Sequence, residues 1–121
     1  GHVAELPGWV ATTMNTAELD FAHINYVRPT PATKADLLAL FEKNLNNAIA
    51  ALNQATDEAM GQPWSMREGE RVFFTLPRAH VIRGMVLNHL LHHRGQLCTY
   101  LRILGERVPP IYGGTADEAR Q

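Results

Sequence analysis

His89 and His93 stand four residues apart in the run Asn88-His89-Leu90-Leu91-His92-His93-Arg94-Gly95-Gln96. In an α-helix that spacing stacks two side chains on one face, so both imidazoles can reach a single ion. Ile82, Met85, Val86, Leu90, Leu97, Tyr100, Leu101 and Leu104 recur around them at helical spacing. At about 100° per residue the apolar face centres near Ile82, His93 and Tyr100. His89 lies within about 40° of that direction and His92 about 100° away. Imidazoles on a core face need partners. A metal ion suits a pair at this spacing. A structural pair, each ring bonded to a carbonyl or carboxylate, remains the alternative that spacing leaves open.

The elements that must carry these residues read as helices. Residues 1–14 form a helical piece with His2, Leu6, Trp9, Val10 and Met14 at helix-like spacing, kinked or weakened at Pro7-Gly8. Residues 15–32 are a linker rich in turn formers. Thr33 caps a helix, with Asp36 at its third position, where a carboxylate suits the N-terminus. That helix is expected to run to about Ala59 and to turn Leu37, Phe41, Leu45, Ile49 and Leu52 inward. Residues 64–76, with Trp64, Met66, Val72, Phe73 and Phe74 around Arg67-Glu68-Gly69-Glu70, fit either a hairpin or an ordered loop. Pro77 opens the histidine helix and Gly105 lies just past its end. An extended stretch follows, Val108 to Gly114, and then a frayed tail. The expectation is an all-α single domain over residues 1–121.

Composition narrows the function. Of 121 residues, 45% are hydrophobic and 19% charged, a globular balance. The net charge of −1 leaves no basic footprint for nucleic acid. No apolar run approaches a membrane span, and no secretory signal is visible. The one cysteine, Cys98, suits a reducing cytoplasm and falls opposite the histidines, as packing or surface. His92 reads as a boundary residue. His23 and His80 read as ordinary polar residues of connecting segments, and Arg94 as a partner in an ion pair.

The stretch Asn88 to Leu97, followed by Tyr100-Leu101-Arg102, Gly105, Val108-Pro109 and Ile111-Tyr112-Gly113, resembles the DinB family, the DinB/YfiT-like metalloenzymes. The opening Gly1-His2-Val3-Ala4-Glu5-Leu6-Pro7-Gly8-Trp9 resembles the second helix of that family, and Trp64, Phe74 and Pro77-Arg78 its connecting loop. The resemblance implies an up-down four-helix bundle, here with the first helix missing from the chain, and a groove that a partner subunit of a homodimer would fill. It also implies three histidine ligands: His2, which spacing alone does not select, with His89 and His93. Gln96 and Tyr100 continue the histidine face, either as core residues or as residues that line the pocket and bind a cofactor.

Three neutral imidazoles leave a coordination position open, the pattern of a catalytic site rather than a closed structural one. Such a ligand set suits zinc or nickel, and copper or iron as well. A metallopeptidase helix needs Glu directly after its first histidine; Leu90 stands there. The resemblance implies instead a thiol-dependent transferase or isomerase, with a low-molecular-weight thiol such as bacillithiol or mycothiol attacking an electrophilic small molecule. Two other readings stand beside it. One is a non-catalytic, metal-binding stress-response or interaction protein. The other is a metal-dependent hydrolase, for which Glu5 is the nearest acid or base.

Overall fold

The structure, a computed structural model, describes residues 1–118. It comprises two compact units, Gly1–Leu90 and Leu91–Gln121.

The first unit opens with α1 (His2–Glu5) and α2 (Gly8–Asn15). Leu6 and Pro7 keep right-handed helical dihedrals, so the backbone path continues between the two while the hydrogen-bond ladder breaks. A strand, β1 (Glu18–Asp20), precedes α3 (Lys34–Asn53). Thr33 and Asp36 form a reciprocal capping box at the start of α3, as their spacing predicts. A short α4 (Asp57–Gly61), capped by the Thr56 side chain, then leads into β2 (Pro63–Glu68) and β3 (Arg71–Pro77). The helix expected to reach Ala59 therefore stops six residues earlier. Thr56 takes an extended conformation and starts a new helix through its bond to the Ala59 N–H.

The all-α expectation, and with it the four-helix bundle, is overturned by a three-stranded mixed sheet in the order β1-β2-β3. β1 runs parallel to β2, which pairs antiparallel with β3. Segment 64–76 is thus a hairpin. Val72-Phe73-Phe74-Thr75 favours a pleated surface. Gly69, at φ +59°, supplies the turn that a side chain would strain. Asp20 ties the third strand on. Its Oδ1 accepts the Ala22 and Gly69 N–H groups at 2.9 Å each, and its Oδ2 lies 3.3 Å from Arg67 Nε. The Gly69 N–H, foremost, holds this carboxyl down at about 2.

The core of the unit gathers Val10, Ala48, Ile82 and Val86, with Trp9, Met14, Met60 and Leu90 around them. This corrects the predicted inward face of α3: Leu45, Ile49 and Leu52 are exposed, and Ala48 is buried. Small groups explain the difference. Asn44 donates to the Ala4 carbonyl at 2.9 Å, and a Cβ on Gly8 would meet Asn44 Oδ1 at 3.0 Å. Close approach of α1 and α2 selects the Asn44-Ala48 side of α3 and leaves the larger side chains at its edge.

From Arg78 the chain is helical to Ile103, in three parts: α5 (Arg78–Val81), a π-helical stretch (Ile82–Asn88) and α6 (His89–Ile103). The division between the units falls inside α6, after Leu90.

In the second unit, Glu106 donates to the Leu101 carbonyl and Gly105 to that of Arg102. With Gly105 at φ +77°, this is the Schellman ending that the glycine predicts. The tail expected to fray is held as far as it is described. Asp117 accepts from Arg102 at 2.7 Å and from the Val108 N–H at 3.0 Å. Residues 119–121 of that expected tail lie outside the described residues. Arg94, expected in an ion pair, places its guanidinium 5.6 Å from the centre of the Tyr112 ring.

Candidate metal centre

Two histidines from opposite ends of the first unit meet. His2 Nε2 on α1 lies 3.3 Å from His89 Nε2, the first residue of α6. Two ligands at zinc–nitrogen distances of about 2.0–2.1 Å on a tetrahedron stand roughly 3.3 Å apart. The pair is thus spaced as two ligands of one ion. His93 follows one turn along the unbroken α6. One ligand atom from each of His2, His89 and His93 lies within 4.8 Å of the other two.

The other nitrogens of His2 and His93 are engaged. His2 Nδ1 donates to Glu5 Oε1 at 2.6 Å, and His93 Nδ1 pairs with Gln96 Oε1 at 2.8 Å. A proton held on Nδ1 leaves the Nε2 lone pair for a ligand bond. Glu5 is itself fixed: the Tyr26 hydroxyl donates to its Oε2 at 2.6 Å. Burial lifts the Tyr26 hydroxyl above its usual pKa, and its bond to Glu5 adds to the rise. Both Glu5 oxygens are therefore engaged, and Glu5 is 7% exposed. This arrangement would orient His2 as a ligand. It does not leave a carboxylate poised to take a proton from water.

The π-helical stretch matters to this placement. Its wider turns, bonded i→i+5, rotate everything beyond Asn88 relative to an uninterrupted α-helix, and such stretches are frequent at functional sites. Ile82 and Val86 are buried before it ends, whereas Tyr100, predicted near the centre of the apolar face, is 59% exposed. His92 is exposed with its ring edge-on to His93, and His23 and His80 are exposed too. The expectation that these three stand apart from the cluster agrees with this placement.

Beside His2 and His89 the first unit holds a cavity of about 250 Å³. Trp9, Phe21, Trp64, Met66 and Val86 form much of its wall, with Tyr26 and Arg28. Sequence reasoning passed over Phe21, Tyr26 and Arg28 because they sit in a segment dominated by turn formers. Three aromatic or cationic side chains within eight residues of that segment were the available signal.

Glu5→Gln tests the orienting role. The amide keeps the shape but places an N–H₂ group against one of the two donors, His2 Nδ1–H or the Tyr26 hydroxyl. Metal affinity should fall about 10–100-fold, read by competition with a chelator, while the unfolding midpoint of the metal-free protein stays close to wild type. Unchanged affinity would remove Glu5 from the centre.

The arrangement is one that could hold a metal ion on imidazoles whose outer nitrogens are oriented. The DinB family pattern matches residues 7–121, and the chain belongs to that family. The matched span includes His89 and His93; His2 lies before it and enters the cluster on geometry. No curated protein and no solved structure matches the chain. Among the described residues no helix is long and apolar enough to cross a membrane.

Proposed function

We propose that the chain is a metal-dependent enzyme in which a low-molecular-weight thiol attacks an electrophilic small molecule, in a transferase or isomerase reaction. The observation that carries this reading is the His2–His89 pair at 3.3 Å, with Glu5 on the outer nitrogen of His2, opening on a mostly apolar cavity. His2, His89 and His93 would hold a divalent ion, zinc or nickel by ligand type, which would supply the charge that favours a thiolate near neutral pH.

The residues of the chain do the rest. Glu5 and Tyr26 hold His2 in one tautomer. The aromatic wall excludes water from the electrophile, which keeps hydrolysis from competing with thiol attack. In the transfer the thiol proton passes to solvent, sulfur bonds to the electrophilic carbon, and the leaving group departs with its electron pair. In the isomerisation the same sulfur adds and is later expelled. A hydrolase is less well supported, because the one nearby carboxylate, Glu5, has both oxygens engaged.

The test is thiol consumption by zinc- or nickel-loaded protein with bacillithiol or mycothiol and 1-chloro-2,4-dinitrobenzene. Turnover that needs metal and disappears in His89→Ala is expected. A rate equal to that of the free thiol with every pairing would contradict the reading.

A further inference from the structure

We infer that the cavity beside the histidines selects an aromatic ligand of about two fused rings bearing one anionic group, with Arg28 reading the anion. This rests on the proposed function in taking the cavity as the substrate site, and it adds the class of molecule admitted.

Three observations carry it. The first is size. An apolar cavity of about 150 Å³ takes up benzene, so about 250 Å³ has room for a second ring. The second is that three polar groups of the wall are already used within the protein. Thr13 Oγ1 donates to the Trp9 carbonyl at 2.7 Å, Trp64 Nε1 to Thr16 Oγ1 at 3.0 Å, and Tyr26 to Glu5 at 2.6 Å. A sugar-like or peptide-like ligand would bury donors and acceptors against side chains whose own groups are taken, and would lose the water bonds it gave up. An aromatic body loses none and gains contact with the indoles and Phe21.

The third is charge. Arg28 lines the cavity with its side chain hydrogen-bonded to Tyr26, and it enters no ion pair among the described residues. Its guanidinium presents a planar fork that fits a carboxylate. The pairing would be stronger at the edge of an apolar wall than in open water.

The probes are 2-naphthoate and its neutral twin 2-naphthylmethanol. The readout is the two indole N–H resonances, since the chain has two tryptophans, both in the wall. Naphthoate should shift at least one resonance saturably and bind about tenfold more tightly than the alcohol, the order of one charge-assisted pair. Arg28→Leu should abolish that preference while leaving the alcohol bound. Met85→Tyr, at an exposed position of the lining, should narrow the mouth and weaken both probes without unfolding the core.

Equal affinity for the two probes, or a preference that survives Arg28→Leu, would overturn the assignment to Arg28. No shift of either indole up to the solubility limit would overturn the cavity as an aromatic site. Metal content of the same samples keeps the two readings apart. Naphthoate bound by protein that takes up no metal supports the cavity and refutes the centre; metal without naphthoate does the reverse.

Discussion

His89→Ala and His93→Ala should each abolish tight metal binding, while His92→Ala keeps most of it. His89 faces His2 at 3.3 Å, and all three ligand atoms lie within 4.8 Å of one another. Removing one imidazole leaves two, and an ion with two protein ligands is held mainly by water. The loss should exceed the ~10–100-fold that removal of an outer hydrogen-bond partner costs. His92 sits one residue from His93, about 100° around the helix, and is exposed. Chelator competition on the three variants checks this. Equal loss in all three would contradict the ligand assignment.

Trp64→Ala should destabilise the protein by about 3–5 kcal/mol, the usual cost of emptying a large aromatic site in a core. Trp64 is 1% exposed, the largest of the fully buried side chains. It packs beside Phe74, ring centres 6.2 Å apart, and its Nε1 reaches back to Thr16 at the end of α2. It therefore joins the hairpin to the helix that precedes β1, and it walls the cavity. Trp64→Phe separates the terms. It keeps most of the apolar contact and loses the hydrogen bond, for roughly 1 kcal/mol. Denaturant unfolding should show a large fall in midpoint for the alanine variant and a small one for the phenylalanine variant. Similar midpoints for alanine and wild type would mean that Trp64 does not organise this core.

The histidine pair was legible because helical spacing is a strong local signal. His89 and His93 occupy one helix, as their spacing of four requires. The caps were legible for the same reason: Thr33 with Asp36, and Gly105, act within a single turn of chain. What depended on distant contacts was not. The sheet needs β1 from a segment that reads as linker, and Asp20 finds Gly69 forty-nine residues away. The burial of α3 was misread because size suggested Leu45, Ile49 and Leu52, whereas close packing chose Ala48 and Asn44. The π-helical stretch hid the true phase of the histidine helix, since a count at α-helical pitch assumes no such stretch. His2 came from resemblance alone; nothing in its spacing links it to His89, eighty-seven residues on. Glu5 was legible as a neighbour of His2, and its two oxygens accept from His2 and Tyr26.

The most direct test of the central claim is the metal content of the wild-type protein, purified without an affinity tag, incubated with zinc or nickel, dialysed, and measured by elemental mass spectrometry. The three-histidine centre predicts about one ion retained per chain. A protein that retains none under either metal would contradict it, and the paired imidazoles would then be a structural contact.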